Sequence, residues 1–113
     1  MEVETSESLE AEAEKRKYRR TKLITQVKCE ALGREDLAVA RDVSVGGMFL
    51  TDPNPFPAKS GVSLAFRLDP TGPLLACRGE VVYAISGVGM GVKYTEISEQ
   101  VRQAIEKFVH VAN

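Results

Sequence analysis

Gly61-Val-Ser-Leu-Ala-Phe-Arg-Leu68 alternates without a break, with Val62, Leu64, Phe66 and Leu68 on one side and Ser63, Ala65 and Arg67 on the other. A period of two marks a strand with one buried and one wet face, because successive side chains leave an extended backbone on opposite sides. The pattern recurs in both directions along the chain. Upstream, Lys22–Ala31 sets Leu23, Thr25, Val27 and Cys29 against Ile24, Gln26, Lys28 and Glu30, and shorter strands read across Leu37–Val43 and Met48–Thr51. Downstream lie a longer strand over Leu74–Ile85 and a last one over Val88–Tyr94, with Val88, Met90, Val92 and Tyr94 on one face. The breaks between them carry turn chemistry: Gly33–Asp36, Ser44–Gly47, Asp69–Gly72 and Ser86-Gly87. Asp52-Pro-Asn-Pro-Phe-Pro57 has three prolines, which cannot donate to a ladder, and reads as a connecting loop.

The final segment changes period. Val101, Ala104, Ile105, Phe108 and Val109 fall at helical spacing after Ser98, a residue suited to an N-cap, and predict a helix over about 98–111. About six short strands with short, hence antiparallel, connections and one closing helix make an all-β domain, a small β-barrel with a C-terminal α-helix.

A chain of 113 residues, 43% hydrophobic and 27% charged, fits one domain with a modest core. No apolar run reaches the roughly 18–20 residues of a membrane span. The acidic start does not read as a signal peptide, so a cytoplasmic location is expected. Two cysteines, Cys29 and Cys77, read as buried, reduced thiols, and one histidine, His110, as a helix-end residue. With no nucleophile–base pair, no metal cluster and no phosphate-binding Gly-Lys loop, no catalytic residue, metal or cofactor is assigned and the protein is expected not to be an enzyme.

The net charge of −1 conceals an uneven layout. Residues 1–14 carry six glutamates and no cation, 15–20 carry five cations and no anion, and 21–113 hold ten of each sign. Residues 1–14 therefore read as an acidic, flexible arm, and 15–113 as the folded domain with the basic segment at its entrance. Two constellations stand out: Arg16-Lys-Tyr-Arg-Arg20 at the junction, and Asp42-Val-Ser-Val-Gly-Gly47 after the second strand. Arginine stacks on a purine face and forks two hydrogen bonds onto phosphate or a guanine edge. Asp42 can accept from a guanine edge or orient an arginine, Ser44 offers a hydroxyl, and Gly46 and Gly47 clear space for a flat ligand. Each motif alone also has a plain reading, as a solvated basic run and as turn chemistry.

Taken in order on one small domain, Arg16-x-x-x-Arg20 and Asp42-x-Ser-x-x-Gly47 resemble the signature of PilZ domains, bacterial receptors for cyclic di-GMP. Gly47-Met-Phe-Leu50, Gly79-Glu-Val-Val-Tyr83, Gly89-Met-Gly-Val-Lys-Tyr94 and the terminal amphipathic helix extend the similarity over about residues 15–111. The resemblance implies a six-stranded antiparallel barrel in which Arg16 and Arg20 hold guanines and phosphates, Asp42 and Ser44 meet a guanine and its neighbouring phosphate, and Gly47 permits close contact. Lys15, Lys17 and Arg19 flank the motif within reach of phosphate, Lys15 favouring two bound ligands over one. These three, with Gly46, Arg78 and Tyr83, are the weaker candidates: Tyr83 offers an aromatic wall for a base but reads first as strand packing, and Arg78 reads first as a solvated strand arginine.

The function so implied is a cyclic di-GMP receptor whose arm orders on binding and presents a new surface to a protein partner, with motility or biofilm formation as output. The alternative is a nucleotide-independent adaptor. A nucleic-acid binder fits less well, because the body is neutral and Tyr18 is the only aromatic in the basic run.

Overall fold

The computed structural model describes residues 20–112. Six strands, β1 (Thr21–Ala31), β2 (Arg34–Val43), β3 (Gly47–Thr51), β4 (Gly61–Phe66), β5 (Leu75–Ile85) and β6 (Gly89–Glu96), precede one helix, α1 (Glu99–Ala112). All strand pairs are antiparallel, and the sheet closes in the order β1-β2-β3-β6-β5-β4. Closure leaves no unpaired edge along the barrel wall. The arm 1–14 and the basic residues 15–19 lie outside the described residues.

The alternating apolar sets become the barrel interior. Val27 and Cys29 face Phe66 and Leu64 across the β1–β4 seam, and Leu50 and Met48 face Met90 and Val92 across β3–β6, all buried. Ser98 caps α1, its Oγ accepting the Val101 N–H at 3.1 Å. Val101, Ile105 and Val109 bury their side chains as the helical spacing requires, with Ala104 and Phe108 partly covered.

Three sequence expectations change. The β1–β2 turn is tighter than Gly33–Asp36: Leu32 and Gly33 alone form it, with φ of 52° and 74°, and Arg34–Asp36 belong to β2. Positive φ at both central residues matches the right-handed twist of the flanking strands. Val88 leaves the core face and is 48% exposed, because its N–H and C=O are spent on the β5–β6 turn and the proline loop, bonding Ile85 O and Asp52 N at 2.9 and 3.0 Å. The proline loop itself supplies core. Phe56 is 1% exposed, with the Arg34 guanidinium 4.2 Å above its ring.

Candidate functional site

Asp42 stands where β2 is irregular. Ala38 and Ala40 are buried, and uninterrupted alternation would send Asp42 inward after them; a register shift between Ala40 and Asp42 intervenes, and Val43 becomes the next buried residue. The extra residue flips the phase of the strand. Asp42 thereby points outward, paired in register with Lys22 of β1 on one side and Phe49 of β3 on the other.

The loop that follows is tied from within. Ser44 N–H donates to Gly47 O at 2.8 Å; its Oγ accepts from the amides of Gly46 (3.1 Å) and Gly47 (3.2 Å) and donates to Gly47 O (3.2 Å). Ser44 is 4% exposed, so its hydroxyl is occupied with shaping the β2–β3 connection. Gly46 gives its carbonyl to the Tyr94 amide at 3.0 Å, fastening the loop to β6. At Gly47 a Cβ would stand 2.1 Å from Val92 O and 3.0 Å from Lys93 Cα. The absent side chain at 47 is therefore required by the neighbouring strand, whatever else it permits.

Arg20 reaches across the mouth of β1 to Asp42, with Nη1 2.6 Å from Oδ1 and each side chain 31% exposed. A charge-assisted bond of this length holds both groups in place, while the remaining guanidinium donors and carboxylate lone pairs stay available at a surface open to solvent. Tyr94 is close enough to the pair to feel both charges. Its hydroxyl is buried and has no hydrogen-bond partner among the described residues. Burial raises its pKa well above the usual phenol value, with Cys77 and Asp42 adding to the shift and Arg20 opposing it.

The structure thus brings Arg20, Asp42, Ser44, Gly46 and Gly47 to one end of the barrel. Lys15, Arg16, Lys17 and Arg19 lie outside the described residues. Arg78 is spent elsewhere on the outer wall, donating to Ser63 Oγ at 2.7 Å with Nε 3.8 Å from Glu96, and β3 and β6 separate it from Asp42. Tyr83 is 47% exposed on β5, and its ring lies beside that of Phe49, with centroids 6.3 Å apart. Phe49 is a neighbour of Asp42 that sequence reasoning passed over. The available signal was Gly89-Met-Gly91, two glycines on one face of a strand, a spacing that marks close approach by another group. Among the described residues no group of three or more His, Cys, Asp or Glu side chains is placed to hold a metal, and no helix is long and apolar enough to cross a membrane.

A family model for the PilZ domain matches residues 14–110. No curated protein matches the sequence with significance. Among solved structures, the Bacillus subtilis inhibitor of motility (MotI/DgrA) is similar with a TM-score of 0.74 at 19% identity, over 83% of this chain and 49% of that one. The PilZ domain of CeSA from a cellulose-synthesizing bacterium gives 0.63 at 20% identity, over 82% and 96% of the two chains. The Borreliella burgdorferi PlzA protein, solved in complex with c-di-GMP, gives 0.62 at 11% identity, over 94% and 46%. The chain spans about half the length of the motility inhibitor and of PlzA, and at these identities the likeness is one of fold.

Proposed function

The chain belongs to the PilZ domain family, and we propose that it is a receptor for cyclic di-GMP. The Arg20–Asp42 pair carries this reading. It sets a fork of guanidinium donors beside a carboxylate on an outward-facing, partly open surface. Guanine offers the complement of both groups, O6 and N7 accepting and N1–H and N2–H₂ donating, and the ligand's phosphates add negative charge for the arginine. In this reading Asp42 and Arg20 contact the ligand, Ser44 shapes the loop under it, and Arg16, from the sequence motif, supplies the second arginine. Lys15, Lys17 and Arg19 add phosphate contacts. Binding orders the segment before Thr21, and the composite surface recruits a protein partner. Motility is the output that the similarity to the motility inhibitor supports.

Calorimetric titration of cyclic di-GMP into wild type, Arg20→Ala and Asp42→Ala tests the reading. Saturable binding is expected in the wild type, lost or cut at least tenfold in each variant, with GMP competing poorly. Undiminished binding by both variants, or no binding by the wild type, overturns it.

One observation favours the second reading, a nucleotide-independent adaptor. Ser44 and Gly47 are both required by the fold, through the loop bonds and the Val92 contact. Their presence therefore says nothing about a ligand, and the nucleotide reading rests on Arg16, Arg20 and Asp42. Partner binding that ignores cyclic di-GMP would mark the adaptor.

A further inference from the structure

β5 outruns one of its two neighbours. Its pairing with β4 ends at Glu80, opposite Gly61, whereas its pairing with β6 continues to Ile85. Val81 is the last residue held on the β4 side, its N–H donating to Ser60 O at 2.9 Å and its carbonyl accepting the Lys59 amide at 2.7 Å. Beyond it, residues 82–84 have β6 on one side and, among the described residues, no backbone partner on the other. The barrel wall closes below this point, and the hairpin above it carries a short open edge. A register shift between Val81 and Tyr83 bends the ribbon where β4 drops away. Every residue from Val82 to Val88 is exposed, on both faces of the ribbon. The edge is also apolar: Val82 and Ile85 are 54% and 49% exposed, and no charged residue or proline stands between Glu80 and Lys93. Lysine and proline are the residues that commonly blunt such an edge against pairing.

We propose that residues 82–85 of β5 are a strand-addition surface, and that the occupant is the same edge of a second copy of this chain, the two strands running antiparallel about a two-fold axis. A two-fold axis sets one segment against itself, so any charge on it would meet its own kind. Val82-Tyr83-Ala84-Ile85 carries none, and every antiparallel register of the segment with itself lays apolar side chains against apolar ones. The backbone donors and acceptors that β4 leaves free find their partners in the copy, as in other strand additions. Size sets the strength. The ribbon offers on the order of 300 Å² per protomer, against about 800 Å² per partner in a standard interface, so the dimer is weak and transient. The assignment stands apart from the nucleotide reading: Asp42 is on β2, three strands from β5, and the pairing leaves the Arg20–Asp42 pair uncovered.

The test is sedimentation of the full chain from about 10 μM to about 1 mM, a range that brackets a weak dimer, beside Ala84→Lys, Ala84→Glu and an equimolar mixture of the two. Ala84 is exposed in the middle of the edge, close to the two-fold axis, so either charge would face its copy. As exposed substitutions, both should melt within about 3 °C of wild type. The wild type is expected to dimerise as concentration rises, with the amide resonances of residues 82–85 moving in step. Each charged variant should associate at least tenfold more weakly, and the mixture should recover association because opposite charges then meet. A wild type that stays monomeric throughout overturns the proposal. So does a dimer that both variants form as well as the wild type, concentration-independent amide resonances over 82–85, or a mixture that associates no better than either variant alone.

Discussion

Replacing Gly47 with alanine separates a residue the fold needs from one the ligand needs. The added Cβ would stand 2.1 Å from Val92 O and 3.0 Å from Lys93 Cα. Both are backbone atoms of a paired strand, so no rotamer change relieves the clash and the β3–β6 ladder has to open at this end. Forcing an extra methyl into a packed site costs about 1–3 kcal/mol. Loosening the adjoining Tyr94-to-Gly46 bond adds about 1 kcal/mol. A total near 3 kcal/mol corresponds to a fall in Tm of about 12–20 °C for a domain of this size. Gly61→Ala is the control, since its nearest neighbour is the far end of the Arg78 side chain at 3.6 Å, and its Tm should stay within about 3 °C of wild type. The assay is thermal unfolding by circular dichroism without ligand, followed by titration at a temperature where each variant is folded. The reasoning fails if Gly47→Ala melts with the wild type and yet no longer binds cyclic di-GMP, for then the glycine makes room for ligand rather than for β6.

Further outcomes follow from other parts of the molecule. Ser44→Ala removes the hydroxyl that satisfies the Gly46 and Gly47 amides, and should lower the urea midpoint by an amount equivalent to about 1–3 kcal/mol with an unchanged slope. Burial pushes the Cys29 thiol up to about 12, with Asp52 and Asp36 adding, and the Cys77 thiol up to about 11. Both should resist a thiol reagent at pH 8 in the folded protein and react at the rate of unfolding; an unfolded thiol ionises near 8.5, so stability should fall as pH rises above about 9. Asp52 is 4% exposed with Oδ2 unpartnered among the described residues, and burial is the first cause of its raised pKa, with Asp36 contributing. A carboxyl raised on folding favours the native state at low pH and loses that contribution as pH climbs through its folded value. Asp52→Asn should accordingly raise Tm at pH 7 and give no gain near pH 3.

Most of the barrel was legible because a closed sheet has one inside, and period-two alternation records which side faces it. Val27, Cys29, Leu64, Phe66, Met90 and Val92 all fell on the side their spacing assigns. Alternation carries no information once a residue leaves the ladder. Val88 kept the parity of its strand but was claimed by turn hydrogen bonds, and Phe56 reached the core from a loop with no period at all. The candidate site was legible as residue types and opaque as roles. Read in one dimension, Gly47 clears space for a ligand and Ser44 offers it a hydroxyl, whereas in the fold a carbonyl of β6 fills that space and the loop amides hold the hydroxyl. Phe49 escaped notice because its place beside Asp42 depends on cross-strand register, which no local pattern encodes.

The irregularity in β2 gives that strand two reading frames. Ala38 and Ala40 are written in the frame of the core, Asp42 in the frame of the surface, and the switch between them is a single surplus residue. Removing Arg41 would merge the frames without disturbing the site: Asp42 would follow Ala40 directly and stay outward, and Val43 would stay inside. No functional residue type would have been lost from the sequence. In this strand, register is information of the same rank as identity: the same letters paired without the bulge would turn Asp42 inward and Val43 outward.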